Sequence, residues 1–316
     1  MPTATLPPAA ATVRTFGALG PLAELSDAVV FVFALVTQLG DPWFLFVGLA
    51  LLYWFGPERL GVSRRTGATV LALALGALAL TVGLKSFFAS PRPPGAGRIV
   101  PPTWLPASIA PAYASLATGD GFGFPSGHAV GTTVVYGGCA TLLRGGARDR
   151  RWLAAGAVVV LVGLSRLVLG VHYPIDVVVG VLVGATFLAG VVPIVRRRPD
   201  RAFAVAAALS LLAVGIAAAG GHAMETKEAA AGFGGALGGL ATCRAVEIRD
   251  GRLGAPLALV GLAFAGGVSL GTYVLAPPVP VAAGANALVV ACVLALPALA
   301  ARLEKSESGS AQNVSR

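Results

Sequence analysis

Apolar runs long enough to cross a bilayer recur along nearly the whole chain, and nothing else constrains the possible folds as strongly. About 20 apolar residues in a helix span roughly 30 Å of hydrocarbon. Windows with little or no charge fall at 24–40, 42–56, 67–84, 127–143, 152–170, 175–195, 202–220, 229–243, 255–276 and 282–301, which makes ten candidate helices. With 56% hydrophobic and 12% charged residues and a mean hydropathy of +0.81, the chain has more apolar surface than a soluble core can bury. Strands of a membrane barrel would alternate apolar and polar residues, and these segments do not. The expected fold class is all-α, a polytopic transmembrane helical bundle.

A formal net charge of +9 raises the possibility of a nucleic-acid partner. The basic residues, however, stand in short clusters between apolar spans without aromatic interleaving, so they read as membrane topology and no nucleic acid is expected. With the amino terminus cytoplasmic, 18 of the 23 basic residues fall on one side, in the tails and the connections around 59–65, 144–151, 196–201 and 244–252. Only Lys85, Arg92, Arg98, Arg166 and Lys227 fall on the other. This bias predicts a multi-pass cell-membrane protein with both termini inside and the connections after the third, fifth, seventh and ninth helices outside. Residues 1–20 have no continuous apolar core, so the first span is expected to act as an uncleaved signal. Cys139, Cys243 and Cys292 form no CxxC pair and read as packing residues, with no metal or disulfide implied.

The outer segment 91–123 carries seven prolines, too many for a helix interior, and is expected to form an irregular loop or re-entrant cap. The Arg-Arg-Arg-Pro run at 196–199 divides a first block of six helices from a second of four. The expected organisation is a tail at 1–23, a six-helix unit at 24–195, a basic connection at 196–201, a four-helix extension at 202–303 and a polar tail at 304–316.

Outward connections normally shed basic residues, yet Lys85, Arg92 and Arg166 lie there at helix ends. Snorkelling to headgroups would account for any one of them alone. Their neighbours argue otherwise. Lys85 and Arg92 sit where the third helix gives way to loop, and two cations together suit a multiply charged anion. Phe124-Pro125-Ser126-Gly127-His128 opens the fourth helix, where free backbone N–H groups and the positive dipole end could cradle phosphate. Ser165 to Asp176 joins the fifth and sixth helices, and Pro174 in a first turn puts Asp176 within reach of His172. Two of the three histidines, His128 and His172, fall beside these cations, while His222 reads as an ordinary solvated residue.

Lys85-x6-Arg92-Pro93, Pro125-Ser126-Gly127-His128 and Ser165-Arg166-x3-Gly170-x-His172-x3-Asp176 resemble the three signature motifs of the type 2 phosphatidic acid phosphatase and vanadium haloperoxidase superfamily, in its membrane lipid phosphatase branch. The resemblance covers residues 24–195, which would make that block a six-helix phosphatase core, and leaves out the last four helices. It implies that His172 attacks phosphorus and forms a phosphohistidine. Asp176 would hold the other ring nitrogen, and His128 would protonate the departing oxygen and then activate water. Lys85, Arg92, Arg166, the Ser126 hydroxyl and the Gly127 amide would hold the phosphoryl oxygens. Three cations would do the electrostatic work of a metal ion, so no cofactor is expected.

The implied activity is hydrolysis of a phosphomonoester or diphosphate lipid, phosphatidate-like or polyprenyl. Two readings compete with it: phosphotransfer from the same site to an alcohol or sugar, and a non-enzymatic ten-helix transporter. A transporter would need mid-bilayer charges or an inverted repeat, and the sequence shows neither. The motifs read the phosphate alone and leave the lipid and the oligomeric state open.

Overall fold

The computed structural model describes residues 25–314, with side chains to Arg302. The expected tail at 1–23 lies outside the described residues, as do the side chains of the one expected at 304–316. Among the described residues the chain is all-helical, with no strand.

The first two expected spans form one bent path. Helix α1 (Asp27–Val36) runs through a 3-10 turn (Thr37–Gly40) into α2 (Pro42–Arg59), and the two halves are bent by 50°. The cause is local. Asp41 caps α2, with one carboxylate oxygen accepting from the Trp43 N–H at 3.3 Å, and Pro42 occupies the first helical position. The two halves together are long and apolar enough to cross a membrane, as a broken span or a re-entrant segment. Phe31 of α1 stacks on Tyr113 and meets the edge of Trp104. This packs the start of α1 against the 91–123 segment.

Helix α3 (Arg64–Phe88) is the central post, and 83% of its most apolar stretch is buried. It touches α2, α5, α8 and α9. The 91–123 segment after it is a cap, irregular except for the short α4 (Ala110–Ala117), with Leu105, Tyr113 and Ala117 packed beneath α1. Then follow α5 (Gly127–Leu142), α6 (Arg148–Val168) and α7 (Pro174–Val195). Helices α5 and α7 approach closely because α7 has Gly180 and Gly184 one turn apart. A Cβ on Gly180 would lie 2.8 Å from the Ser126 carbonyl oxygen, and one on Gly184 would lie 2.8 Å from the Thr133 Cβ. This small-residue packing is the kind that holds membrane helices together where lipid supplies no hydrophobic drive.

The last four helices are α8 (Pro199–Ala219), α9 (Ala223–Ala245), α10 (Ala255–Leu275) and α11 (Val279–Val314). Helix α8 docks on α3, and α9 lies between α8 and α11. One apolar cluster runs from Leu45 to Ala300 and includes Trp54, Leu73, Phe203 and Leu294. Two fully buried side chains of α2 bind the main chain of α11: the Tyr53 hydroxyl donates to Leu294 O at 2.8 Å and the Trp54 indole N–H to Val293 O at 2.9 Å. Helix α10 is the least buried span, with 11% of its window covered, and presents Leu259, Leu270 and Val274 outward as a lipid-facing helix does.

Candidate active site

The three motifs meet at one end of the bundle. His172 lies in the turn between α6 and α7, with its side chain 1% exposed. Asp176, fully buried, folds back along the first turn of α7. Its Oδ2 accepts the Tyr173 N–H at 3.0 Å and lies 3.5 Å from His172 Nδ1. The latter distance is too long for a well-formed hydrogen bond. On the other ring nitrogen, Nε2, the Arg92 guanidinium sits at 3.0 Å. A guanidinium can only donate, so Nε2 is the acceptor and carries the lone pair, which leaves the proton of a neutral ring on Nδ1, facing Asp176. Burial, followed by the charges of Arg92, Arg166 and Lys85, holds the His172 ring well below its ordinary pKa of 6.5, so it is neutral at physiological pH.

Arg92 is fixed from two further sides: Nε donates to Asp120 O at 2.9 Å and Nη1 also to Val171 O at 3.0 Å. Arg166, 3% exposed in the last turn of α6, donates from Nη1 to the Thr37 hydroxyl at 2.6 Å. Lys85, in the last turn of α3, lies within coulombic reach of both arginines and of Glu225 and Glu228 in the first turns of α9. Ser126 precedes α5 and Gly127 opens it, and the Ser126 N–H donates to Asp176 O at 2.9 Å, which ties the second motif to the third. His128 stands in the first turn of α5 with its Nε2 3.9 Å from Asp41 Oδ2.

Seven buried side-chain polar atoms lack a hydrogen-bond partner among the described residues, and four belong to this cluster: Ser126 Oγ, His128 Nε2, Arg166 Nε and His172 Nδ1. Buried polar groups are normally satisfied, so such a concentration marks a place shaped for a ligand. Three cations, a hydroxyl and a helix start make that ligand an anion. Among the described residues no three His, Cys, Asp or Glu side chains gather where they could hold a metal ion.

The structure brings together all eight residues singled out from the sequence and adds others. Thr37 and Asp41 come from the break between α1 and α2. Asp41 was legible in principle, because Asp-Pro before an apolar run is a helix start, whereas Thr37 gave no signal. His222 is not simply solvated as expected: its ring meets the edge of Phe122 at 4.8 Å, and Glu225 approaches Gly121. The last four helices therefore reach the segment leading into Phe124-Pro125-Ser126.

An all-helical bundle of apolar helices with a buried histidine, a carboxylate behind it and a cluster of cations at one end defines a class of multi-helix protein with a candidate anion site. Residues 66–200 match the PAP2 superfamily, and this stretch contains all eight of the residues singled out from the sequence. The chain is 35% identical over 82 residues to phosphatidylglycerophosphatase B of Bacillus subtilis (strain 168), covering 24% of this chain and 40% of that protein. It is 50% identical over 66 residues to the decaprenylphosphoryl-5-phosphoribose phosphatase of Mycobacterium tuberculosis, in both the CDC 1551 and H37Rv strains, covering 20% of this chain and 32% of the relative. The chain thus spans well under half the length of these relatives. No solved structure matches it significantly.

Proposed function

We propose that the chain is an integral-membrane lipid phosphate phosphatase that works through a phosphohistidine on His172. The observation that carries this reading is the buried His172 ring, its Nε2 lone pair presented among cations and its Nδ1 backed by Asp176. When a phosphate group enters, Arg92 exchanges the ring nitrogen for a phosphoryl oxygen, and Lys85, Arg166, the Ser126 hydroxyl and the Gly127 N–H hold the remaining oxygens. Nε2 then forms a P–N bond as the P–O bond to the lipid breaks, and His128 gives its proton to the leaving oxygen. Asp176 stabilises the charge that develops on the His172 ring. In the second half His128 takes a proton from water as the water oxygen attacks phosphorus, the P–N bond breaks, and inorganic phosphate departs. Three cations supply the positive field, so the reaction needs no metal ion.

The substrate is a lipid that carries phosphate in its headgroup. Both relatives bear the names of phosphatases of such lipids, phosphatidylglycerophosphate in one case and decaprenylphosphoryl-5-phosphoribose in the other. The deciding assay is phosphate release in detergent with excess EDTA, from phosphatidylglycerophosphate, phosphatidate and polyprenyl mono- and diphosphates. At least one should be hydrolysed without added metal, and vanadate should inhibit as a mimic of the five-coordinate transition state. Release from none, or only after magnesium is restored, would contradict the mechanism.

The site is proposed to face outward. The basic connections at 59–65, 144–151, 196–201 and 244–252 lie at the end of the bundle opposite the motifs, where Arg197 Nη2 binds Leu142 O and Arg64 Nη1 binds Arg249 O. The C-terminal end of α11 goes with that inner side. Phe31 of α1 lies beside the cap, and residues 1–24 lie outside those described. Sidedness can be read from single cysteines in a background lacking Cys139, Cys243 and Cys292. Gly97 and Gly145 suit the purpose, since a Cβ meets nothing within 4 Å at the first and only Leu60 O at 3.7 Å at the second, whereas one at Gly119 would press on Arg92. On intact cells Gly97→Cys should react with an impermeant maleimide and Gly145→Cys should not; the reverse would place the site in the cytoplasm.

A further inference from the structure

The break between α1 and α2 is held against the site by contacts that helix capping does not require. Besides the bond from Arg166 to Thr37, the Tyr136 hydroxyl of α5 donates to Leu39 O at 2.8 Å, and the Trp43 indole N–H donates to the Gln38 side chain at 3.1 Å. Gly40 permits the approach: a Cβ there would lie 2.7 Å from Val162, 2.9 Å from Thr132 and 3.1 Å from the His128 ring. The Asp41 carboxylate is divided between two tasks. Oδ1 takes the Trp43 N–H and caps α2, while Oδ2 faces His128 Nε2 at 3.9 Å. That nitrogen has no hydrogen-bond partner. The other charged or titratable groups within reach of His128 are Arg166, Lys85, Arg92 and His172. Three are cations that repel a protonated imidazole, so Asp41 is the one carboxylate seen to face the ring. It lies outside the stretch matched by the PAP2 superfamily.

We propose that Asp41 is a positioning residue for His128: its carboxylate faces the ring, pairs with it when it takes up the proton that the reaction uses, and orients it toward the leaving oxygen. The proposal rests on the reading of His128 as the acid in the first half-reaction. A carboxylate there offsets the three cations that hold the phosphate, so one site can grip a polyanion and still keep a proton on its acid.

The test uses leaving groups of different basicity on the full-length protein in detergent. An alkoxide needs a proton as it departs, and 4-nitrophenolate does not. Asp41→Asn retains a capping oxygen for α2 but turns an amide N–H₂ toward His128; Asp41→Ser retains the cap and leaves nothing there. Both should unfold at the wild-type temperature. Both should lose about ten- to a hundredfold in kcat/KM, which reports transfer to His172 and not the later attack of water, on an alkyl phosphate and change little in it on 4-nitrophenyl phosphate. His128→Ala should show the same selectivity more strongly. Equal losses on both substrates would make Asp41 a purely structural residue, and no loss on either would remove it from the reaction; each overturns the proposal. If His128→Ala lost kcat/KM equally on both substrates, the assignment of the acid would fall, and Asp41 with it.

Discussion

Replacing His172 with alanine should abolish phosphoenzyme formation and lower kcat by about 10⁴-fold or more, about 5.5 kcal/mol of lost transition-state stabilisation. The size follows from the geometry. His172 presents the unprotonated nitrogen, Nε2, among Arg92, Arg166 and Lys85, and water brought to the same place would lack both its nucleophilicity and the orientation that Asp176 gives it. Ser126 is the neighbouring hydroxyl that could substitute, and a phosphoserine would survive acid that a phosphohistidine does not. Labelling from a radioactive lipid phosphate should therefore be acid-labile in the wild type and missing from His172→Ala. Unchanged acid-labile label in that variant would assign the nucleophile elsewhere. A second consequence concerns stability. The folded ring titrates below its ordinary 6.5, so as pH falls beneath 6.5 the unfolded chain takes up a proton that the folded one refuses, and stability is lost. His172→Ala removes this contribution, so its unfolding temperature should fall less steeply on acidification.

Most of the helices could be read from the sequence because each is both apolar and bounded. Eight of the ten expected windows correspond to separate helices, most with ends within a few residues of those observed, as at 67–84 against Arg64–Phe88 or 175–195 against Pro174–Val195, while α9 starts earlier, at Ala223, and α11 runs on to Val314. The first two windows correspond to helices as well, but hydropathy cannot tell a span from half of one. Residues 24–40 and 42–56 are both apolar, and what joins them into one bent path is the packing of Phe31 under the cap and the cap on Asp41, which no windowed average contains. The proline-rich segment hides α4 for a related reason: the eight residues Ala110–Ala117, Pro111 among them, make a helix when Tyr113 and Ala117 have a surface to cover.

The candidate site shows the same division. Lys85, Arg92, Ser126, Gly127, His128, Arg166, His172 and Asp176 stand in spaced motifs at helix ends, so their placement on one membrane face follows from alternating crossings. Thr37, Asp41, Glu225 and Glu228 reach the cluster through tertiary packing alone. Gly180 and Gly184 are readable as a small-residue pair, but not as the contact that brings Ser126 to Asp176. The four C-terminal helices carry no motif, and only the fold shows His222 resting on Phe122 next to the segment that leads into Ser126.

Arg166→Ala should lower kcat/KM by about 10² to 10³-fold, about 3 to 4 kcal/mol, the effect of removing one preorganised donor from an anion-stabilising site. Lysine should restore only part of this, because an ammonium cannot reproduce the fork that keeps one edge on Thr37 and leaves Nε for a ligand. The stability of the same variants separates a ligand-binding role from a structural one. In the anion-free protein Arg166 is 3% exposed, its Nε has no partner, and its nearest counter-charge in reach is Asp41. A buried cation held this way costs desolvation that only a bound anion repays. Arg166→Ala should therefore unfold at or above the wild-type temperature without ligand. Vanadate should raise the unfolding temperature of the wild type and raise that of the variant much less, since stabilisation by a ligand follows its affinity for the folded state. A structural arginine would give the opposite pattern, with a large fall in unfolding temperature and an unchanged response to vanadate.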